Sequence, residues 1–174
     1  MPDRLVRGQG ALQHGSTRHE PKVAQKDRQR LAAQAVELAN SHAGKPDAFE
    51  ALQWVLEYEP ISPSAPEAAA IMGQHHIPQA YEFAPALIGR HFVWTEPLLK
   101  AIASGVRAPK RKGPARLFLA LHAQSKVELW DLLQHASPAA LAAAENEHGK
   151  QFINLLRTSD GAALEREAIR AFEE

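Results

Sequence analysis

The strongest constraint on the fold comes from residues 47–60, which read DAFEALQWVLEYEP. The polar residues Glu50, Gln53 and Glu57 lie three to four positions apart, so on a helix they form one narrow stripe. The other positions around this helix are apolar: Phe49, Ala51, Leu52, Trp54, Val55, Leu56 and Tyr58. A helix that is apolar over most of its circumference has to be covered on more than one side. The segment therefore predicts a helix packed between other helices.

Helical periodicity recurs along the rest of the chain, and proline and glycine mark where each helix begins or ends. The sequence lacks strand patterns, because no run alternates between apolar and polar residues and no Asn-Gly or Asp-Gly turn joins two β-branched runs. We predict an all-α chain whose helices cover about residues 22–44, 46–60, 64–73, 79–88, 95–106, 115–135, 138–156 and 160–172.

Polar residues mark the starts of four of these helices. Ser64 and Glu67 have the spacing of a capping box, in which the serine hydroxyl accepts from the glutamate amide while the carboxylate reaches back. Thr95, Ser137 and Asp160 each precede an apolar run and predict N-caps.

Two stretches of the sequence have the same order of elements. Residues 51–76 align with residues 99–124 as an apolar helix, a proline-containing loop and a second apolar helix, with Pro66 opposite Pro114. The spacing is typical of HEAT-type helical pairs. We therefore predict a right-handed stack of helical hairpins, an α-α superhelix of about six to eight helices in the manner of HEAT and TPR folds.

Composition limits the organisation and the chemistry of the chain. Residues 1–20 are polar and without periodicity, which predicts a flexible N-terminal arm before a single helical domain over residues 21–174. The absence of cysteine excludes disulfides, thiol catalysis and thiolate metal sites. A formal net charge of zero argues against wholesale binding to nucleic acid or membrane. No apolar run approaches the roughly 18 residues of a membrane span, and no signal-peptide pattern is present, so we expect a cytoplasmic protein.

Three segments match motifs of a known family: DAFEALQWVLEYEPISPSAPEAAAIMGQHHI (47–77), TEPLLKAIASGVRAPKRKGPARLFLALHAQ (95–124) and FINLLRTSDGAALEREAIRAFEE (152–174). They resemble the helical region that precedes the thioredoxin-like domain in bacterial, planctomycete-type redoxin proteins. In that family the redox chemistry belongs to the thioredoxin-like domain, which has no counterpart in this sequence, so no catalytic residue carries over. The resemblance implies a helical appendage associated with a thioredoxin-like redox partner.

Nine histidines raise the question of a metal site. The candidates are His75 and His76, with His91 within a short reach in sequence. Adjacent histidines point about 100° apart on a helix, so His75 and His76 do not chelate together, and no H-E-x-x-H or H-x-x-x-H pair occurs. We expect imidazoles that complement a helix C-terminus, and neither metal nor cofactor. A metal-dependent enzyme that uses the histidine groups is an alternative hypothesis.

A second acid–histidine group comprises Glu145, Glu147 and His148 on an alanine-rich helix. Such groups act as general acid and base when a cleft holds them together and shifts their pKa values. A solvated helix face is the favoured interpretation.

The strongest run of charge lies in the stretch RAPKRKGPAR. Its basic residues, which are candidates for contact with an anion, are Arg107, Lys110, Arg111, Lys112 and Arg116. Lysine- and arginine-rich stretches bind phosphate, but this one contains no aromatic residue to stack on a base. We interpret the stretch as a loop or a ragged helix start and favour a solvated loop between two helices, with binding of nucleic acid or an anionic ligand as the other alternative hypothesis.

Trp94 differs from the other aromatic residues, which mostly fall on apolar helix faces. It precedes a predicted cap, where it either packs on Leu99 or stays exposed for a partner. Together these features predict a non-enzymatic helical module that binds another protein and acts as a scaffold. Nucleic acid and membrane are not expected partners, and self-association stays open.

Overall fold

The computed structural model describes residues 22–173, and in this range it contains nine α-helices, a 3-10 turn and no strand. The elements are α1 (Lys22–Ser41), α2 (Pro46–Tyr58), α3 (Ala65–His75), α4 (Ile77–Phe83), the 3-10 turn (Ala84–Leu87), α5 (Thr95–Gly105), α6 (Pro109–Gln134), α7 (Pro138–His148), α8 (Lys150–Arg157) and α9 (Gly161–Glu173). The all-α prediction is confirmed. The predicted arm, residues 1–20, lies outside the described residues.

One helix more than the predicted six to eight is present, because the helix expected over 138–156 is divided at Gly149. Gly149 has φ 85°, a left-handed conformation that glycine adopts without steric cost. The chain therefore changes direction between α7 and α8.

Helix α2 lies between α1 and α3, as its apolar circumference predicts. Leu52, Val55 and Leu56 are fully buried. Two of the three aromatic residues of this helix differ from the prediction: Trp54 is half-buried and Tyr58 is exposed, with their rings stacked at 6.2 Å. The covered faces are thus occupied by aliphatic side chains, and the aromatic pair lies at the edge.

Two predicted caps are confirmed and two are wrong. The Ser137 hydroxyl accepts from the Ala140 amide (3.2 Å), and the Asp160 carboxylate accepts from the backbone at the start of α9. Ser64 precedes α3 but makes no capping bond, because its backbone is already helical (φ −84°, ψ −17°) instead of extended. Thr95 lies inside α5, where its hydroxyl accepts from the Phe92 amide (3.3 Å).

From Pro109 onward the basic stretch is the start of a helix, the alternative to the favoured loop, whereas Arg107 lies in the connection. Helix α6 begins at Pro109, so only residues 106–108 connect it to α5. Pro109 suits this position, because proline at the first turn lacks only an amide that has no helical partner. Pro114 lies within α6, whereas Pro66 lies at the start of α3. The alignment of these two prolines is therefore wrong, and the right-handed superhelix stays a prediction.

Two hydrophobic cores form. The first is built from α1 to α5 with the 3-10 turn and the beginning of α6. The second lies where α6, α8 and α9 meet, and its buried members are Leu133, Phe152, Ile153, Leu156 and Leu164. Val93 packs against both. Leu38, Ile169 and Phe172, which the sequence places on apolar faces, are exposed.

Helix α9 runs antiparallel to α6, since Gly161 lies against Trp130 and Glu167 against Lys126. Helix α7 has no buried residue. Within residues 22–173, no helix has the length and apolar character needed to cross a bilayer.

Candidate functional site

Three histidines that are distant in sequence form one cluster between the two cores. The ring of His91 lies 5.1 Å from that of His122 and 5.4 Å from that of His148, measured between centroids. Phe152 of α8 stacks on His91 at 5.8 Å. His91 belongs to the segment before α5, His122 to α6 and His148 to the end of α7, so the cluster joins three parts of the fold.

Hydrogen bonds hold two of these rings in place. The Nδ1 of His122 donates to the carbonyl of Ile88 (2.9 Å), and the Nε2 of His91 lies 3.2 Å from the Ser125 hydroxyl. The second ring nitrogens, Nδ1 of His91 and Nε2 of His122, are buried and have no hydrogen-bond partner. A charged imidazole would bury an N–H donor without an acceptor, so these two rings have to be neutral.

The electrostatics of the cluster favour neutral imidazoles. Burial is the largest cause that lowers the pKa of His91, and with the charges that His122, His148 and Lys126 would carry it brings that pKa to about 3. Burial also lowers the pKa values of His122 and His148, and for His148 the neighbouring Glu147 opposes this effect.

The sequence-derived metal candidates do not come together. His91 contacts His122 and His148, whereas His76 is buried against Phe49 at 5.8 Å and His75 is exposed. In the described part of the chain, no group of three histidine, aspartate or glutamate side chains is placed to hold a metal ion. Sequence reasoning missed His122, because its ring partners are not its neighbours in the chain.

A cleft of about 540 Å³, here called the proline cleft, adjoins the histidine cluster. Three stretches of the chain line it: residues 60–63 with Pro66, residues 92–94, and residues 145–146 with 148–152. His148 thus contacts both the cleft and the buried cluster.

Trp94 is a structural element of this cleft. It is 2% exposed, it stacks on Phe92 at 5.4 Å, and its indole Nε1 donates to the carbonyl of Pro60 (2.8 Å). The alternative in which Trp94 stays exposed for a partner is therefore wrong. Its bond to Pro60 fixes the loop between α2 and α3 where that loop lines the cleft.

Two of the five predicted anion contacts lie in a second cleft, of about 420 Å³, here called the basic cleft. Arg107 and Arg111 line it together with Gln74, His75, Tyr81 and apolar residues. Lys110, Lys112 and Arg116 belong to α6 but do not line this cleft.

A buried lysine forms a charge network that the sequence did not indicate. Lys126 of α6 is 7% exposed and lies 2.7 Å from Glu96 of α5 and 3.1 Å from Glu167 of α9. Lys100 also pairs with Glu96, at 2.5 Å. Burial acts to raise the pKa of Glu96, but the hydrogen bonds and charges of Lys100 and Lys126 outweigh it and hold that pKa at about 2. The network ties α9 to α5 and α6.

Comparison with known proteins gave no match to this chain among protein-family models, curated proteins or solved structures. The resemblance to the redoxin-associated helical region therefore stays a prediction.

Proposed function

We propose that this chain is a non-enzymatic helical module that holds an extended segment of a partner protein in the proline cleft. The observation that carries the proposal is the composition of the cleft. The buried part of its lining is aromatic and held in place, since Phe92 and Trp94 are stacked and Trp94 is bonded to Pro60, while other lining residues such as Ile61 are exposed. Stable peptide sites combine a preformed apolar floor with a polar rim.

The volume of the cleft fits a short segment of chain. A space of about 540 Å³ lies within the range for ligand sites in proteins, and it accommodates two or three side chains of a bound peptide. Ile61 lies on the rim with 57% of its surface exposed, and an apolar side chain of a partner would cover it.

The charges around the cleft favour a basic segment. Glu145 lines the proline cleft, and Glu57 and Glu147 line a smaller adjoining cleft that shares Pro60, Phe92 and His148 with it. The lysines and arginines in the two linings are Lys150 and Arg90. Three carboxylates against two cations leave a net charge of −1. We therefore propose an apolar segment with an adjacent lysine or arginine, and a thioredoxin-like protein is the first partner class to test.

The experiment is selection from a random peptide library against the full chain, followed by measurement of Kd for the enriched peptides. We expect peptides that combine apolar and basic residues, with Kd raised at least about tenfold by Ile61→Glu or Glu145→Lys. Leu132→Glu is the matched control, since Leu132 is exposed on α6 and does not line the cleft. Equal binding by native protein and Ile61→Glu would contradict the proposal.

A second experiment tests whether a partner protein or this chain's own N-terminal segment occupies the proline cleft. Residues 1–20 include Arg4, Arg7 and Arg18, so the chain has a basic segment of its own. If a chain without residues 1–20 bound the selected peptides much more tightly than the full chain, the occupant would be this segment. Unchanged affinity supports a partner protein.

A further inference from the structure

The charged residues that line the basic cleft are both positive. Its lining includes the guanidinium groups of Arg107 and Arg111, and no carboxylate. Arg107 is exposed and forms no ion pair with the described residues. Arg111 is paired with Glu82, which does not line the cleft, so the two guanidinium groups and this carboxylate leave one positive charge that attracts an anion to the cleft.

Arg111 is held in position before any ligand arrives. One of its Nη atoms lies 3.0 Å from a carboxylate oxygen of Glu82, and its guanidinium lies over the ring of Tyr81, 4.8 Å from the centroid. Both contacts come from α4, opposite the start of α6. A guanidinium has five N–H donors, so the bond to Glu82 leaves donors for a second acceptor. Immobilising a free arginine costs entropy on binding, and this cost is reduced here.

The segment that carries Arg107 is fixed as well. The preceding residue, Val106, is 5% exposed, and its amide donates to the carbonyl of Ile102 (3.0 Å). His75 lies at the C-terminal end of α3 and lines the same cleft. Two arginines on separate backbone anchors, the 106–108 connection and α6, therefore border one space.

Apart from the polar Gln74 and the hydroxyl of Tyr81, the remainder of the lining is apolar. Ile77, Pro78 and Val106 lie in it beside the ring of Tyr81. Gly105 makes room for Ile77, because a Cβ added at Gly105 would lie 2.9 Å from two carbon atoms of that side chain. A ligand with charge at one end and an apolar body matches this lining better than a compact inorganic ion does.

We infer that the basic cleft binds a small phosphate monoester with an aromatic or aliphatic body. The phosphate oxygens would accept from Arg107 and Arg111, and the body would pack on Tyr81, Ile77 and Pro78. A phosphate monoester carries roughly −1.5 to −2 charge at pH 7 and three acceptor oxygens, which suits two guanidinium groups better than a singly charged carboxylate does. This inference is independent of the peptide site, which lies in the other cleft.

The test uses phenyl phosphate as the probe, with benzoate, inorganic phosphate and phenol for comparison, and follows backbone amide shifts by NMR during titration. We expect phenyl phosphate to bind most tightly and to shift the amides of residues 75–81 and 105–111. Inorganic phosphate should bind more weakly, since it lacks the apolar body, and phenol should produce no saturable shift. Benzoate binding as tightly as phenyl phosphate would overturn the assignment of a phosphate.

Substitutions locate the site. Arg107→Gln and Arg111→Gln should each weaken phenyl phosphate binding about tenfold or more, the effect of losing a charged hydrogen bond. Lys112→Gln is the matched control, since it removes one positive charge from the same helix outside the cleft, and it should change Kd less than about twofold. Arg107→Gln and Lys112→Gln should retain the native thermal unfolding temperature, because both side chains are exposed. Arg111→Gln should lower it only slightly, because its ion pair with Glu82 is itself exposed.

Two results would overturn the inference. Equal weakening by Lys112→Gln and Arg111→Gln would show that the general positive charge of the helix attracts the anion. Tighter binding of a DNA duplex than of phenyl phosphate, with dependence on Lys110 and Lys112, would show an extended nucleic-acid surface in place of a small-molecule cleft.

Discussion

At the residue scale, Gly161 is the described glycine with the least room for a side chain. A Cβ at this position would overlap the indole ring of Trp130, which packs across the start of α9. We expect Gly161→Ala to lower the free energy of unfolding by about 1–3 kcal/mol, because the ring has to move within a packed region. Urea unfolding of native and mutant protein measures the difference.

Gly89→Ala is the control for this substitution. Nothing lies within 4 Å of a Cβ added at Gly89, so the free energy of unfolding should change by less than about 0.5 kcal/mol. Stability of Gly161→Ala equal to or above that of native protein would mean that Trp130 does not pack on α9 as described.

Residue-level burial in α2 could be predicted only in part. The narrow polar stripe correctly indicates a helix covered on two sides, and Leu52 is fully buried as expected. The same pattern does not separate Leu52 from Tyr58, which is 67% exposed. Apolar character at helical spacing defines faces, whereas the angle at which neighbouring helices cross decides which residue on a face is covered.

At the element scale, the helices were predictable because their signals are local. Ser137 with Pro138, and Asp160, correctly mark two starts. The start of α6 was predicted six residues late, although Pro109 follows an extended Ala108 and forms the same kind of first-turn signal. The basic charge of the stretch favoured a loop in the prediction, but charged residues are good helix formers, so charge alone does not distinguish the two.

The histidine cluster could not be predicted from local pattern. His91, His122 and His148 lie on three separate parts of the chain, and no spacing rule connects them. Their proximity depends on how α6 packs on the segment before α5 and on the turn at Gly149. Closeness in sequence, and not helical spacing, made His75 and His76 the candidates. The ring contacts of His91 are instead with His122 and His148.

The cluster predicts a specific dependence of stability on pH. Above about pH 6.5, histidines are neutral in both the folded and the unfolded chain, and they have no differential effect. Below that pH the histidines of the unfolded chain bind protons, whereas the buried rings of the folded chain stay neutral. The free energy of unfolding therefore falls as pH falls, down to about pH 3 for His91. At pH 5, His91 alone should lower the free energy of unfolding by about 2 kcal/mol relative to its value at pH 7.

Urea unfolding at intervals from pH 7.5 to 4.5 measures this slope. The interval isolates the histidines, because Glu96, with its pKa lowered to about 2, affects stability only as pH falls below about 4.5. His91→Gln should flatten the slope, whereas the same substitution at the exposed His135 should leave it unchanged. An identical slope in native protein and His91→Gln would contradict the prediction.

At the scale of the whole molecule, the two cores are joined by few elements. Val93 packs against both cores, and Lys126 links α5 of the first core to α9 of the second through Glu96 and Glu167. A buried charge is stable only while its partners remain, so α9 cannot separate from α5 without exposing or unpairing Lys126. The network therefore favours unfolding of both cores together.

Removal of Glu96 tests this coupling. We expect Glu96→Gln to lower the free energy of unfolding by about 2–3 kcal/mol, because Lys126 stays buried with only Glu167 as a charged partner. Lys126→Met should cost less, since the substitution removes the buried charge itself and Glu96 keeps Lys100. Lys100→Gln, on a side chain that is 56% exposed, should cost under about 1 kcal/mol and is the control.

Urea unfolding followed by circular dichroism measures the three costs, and hydrogen exchange should show α9 opening first in Glu96→Gln. Equal stability of Glu96→Gln and Lys100→Gln would show that the ion pairs do not couple the cores.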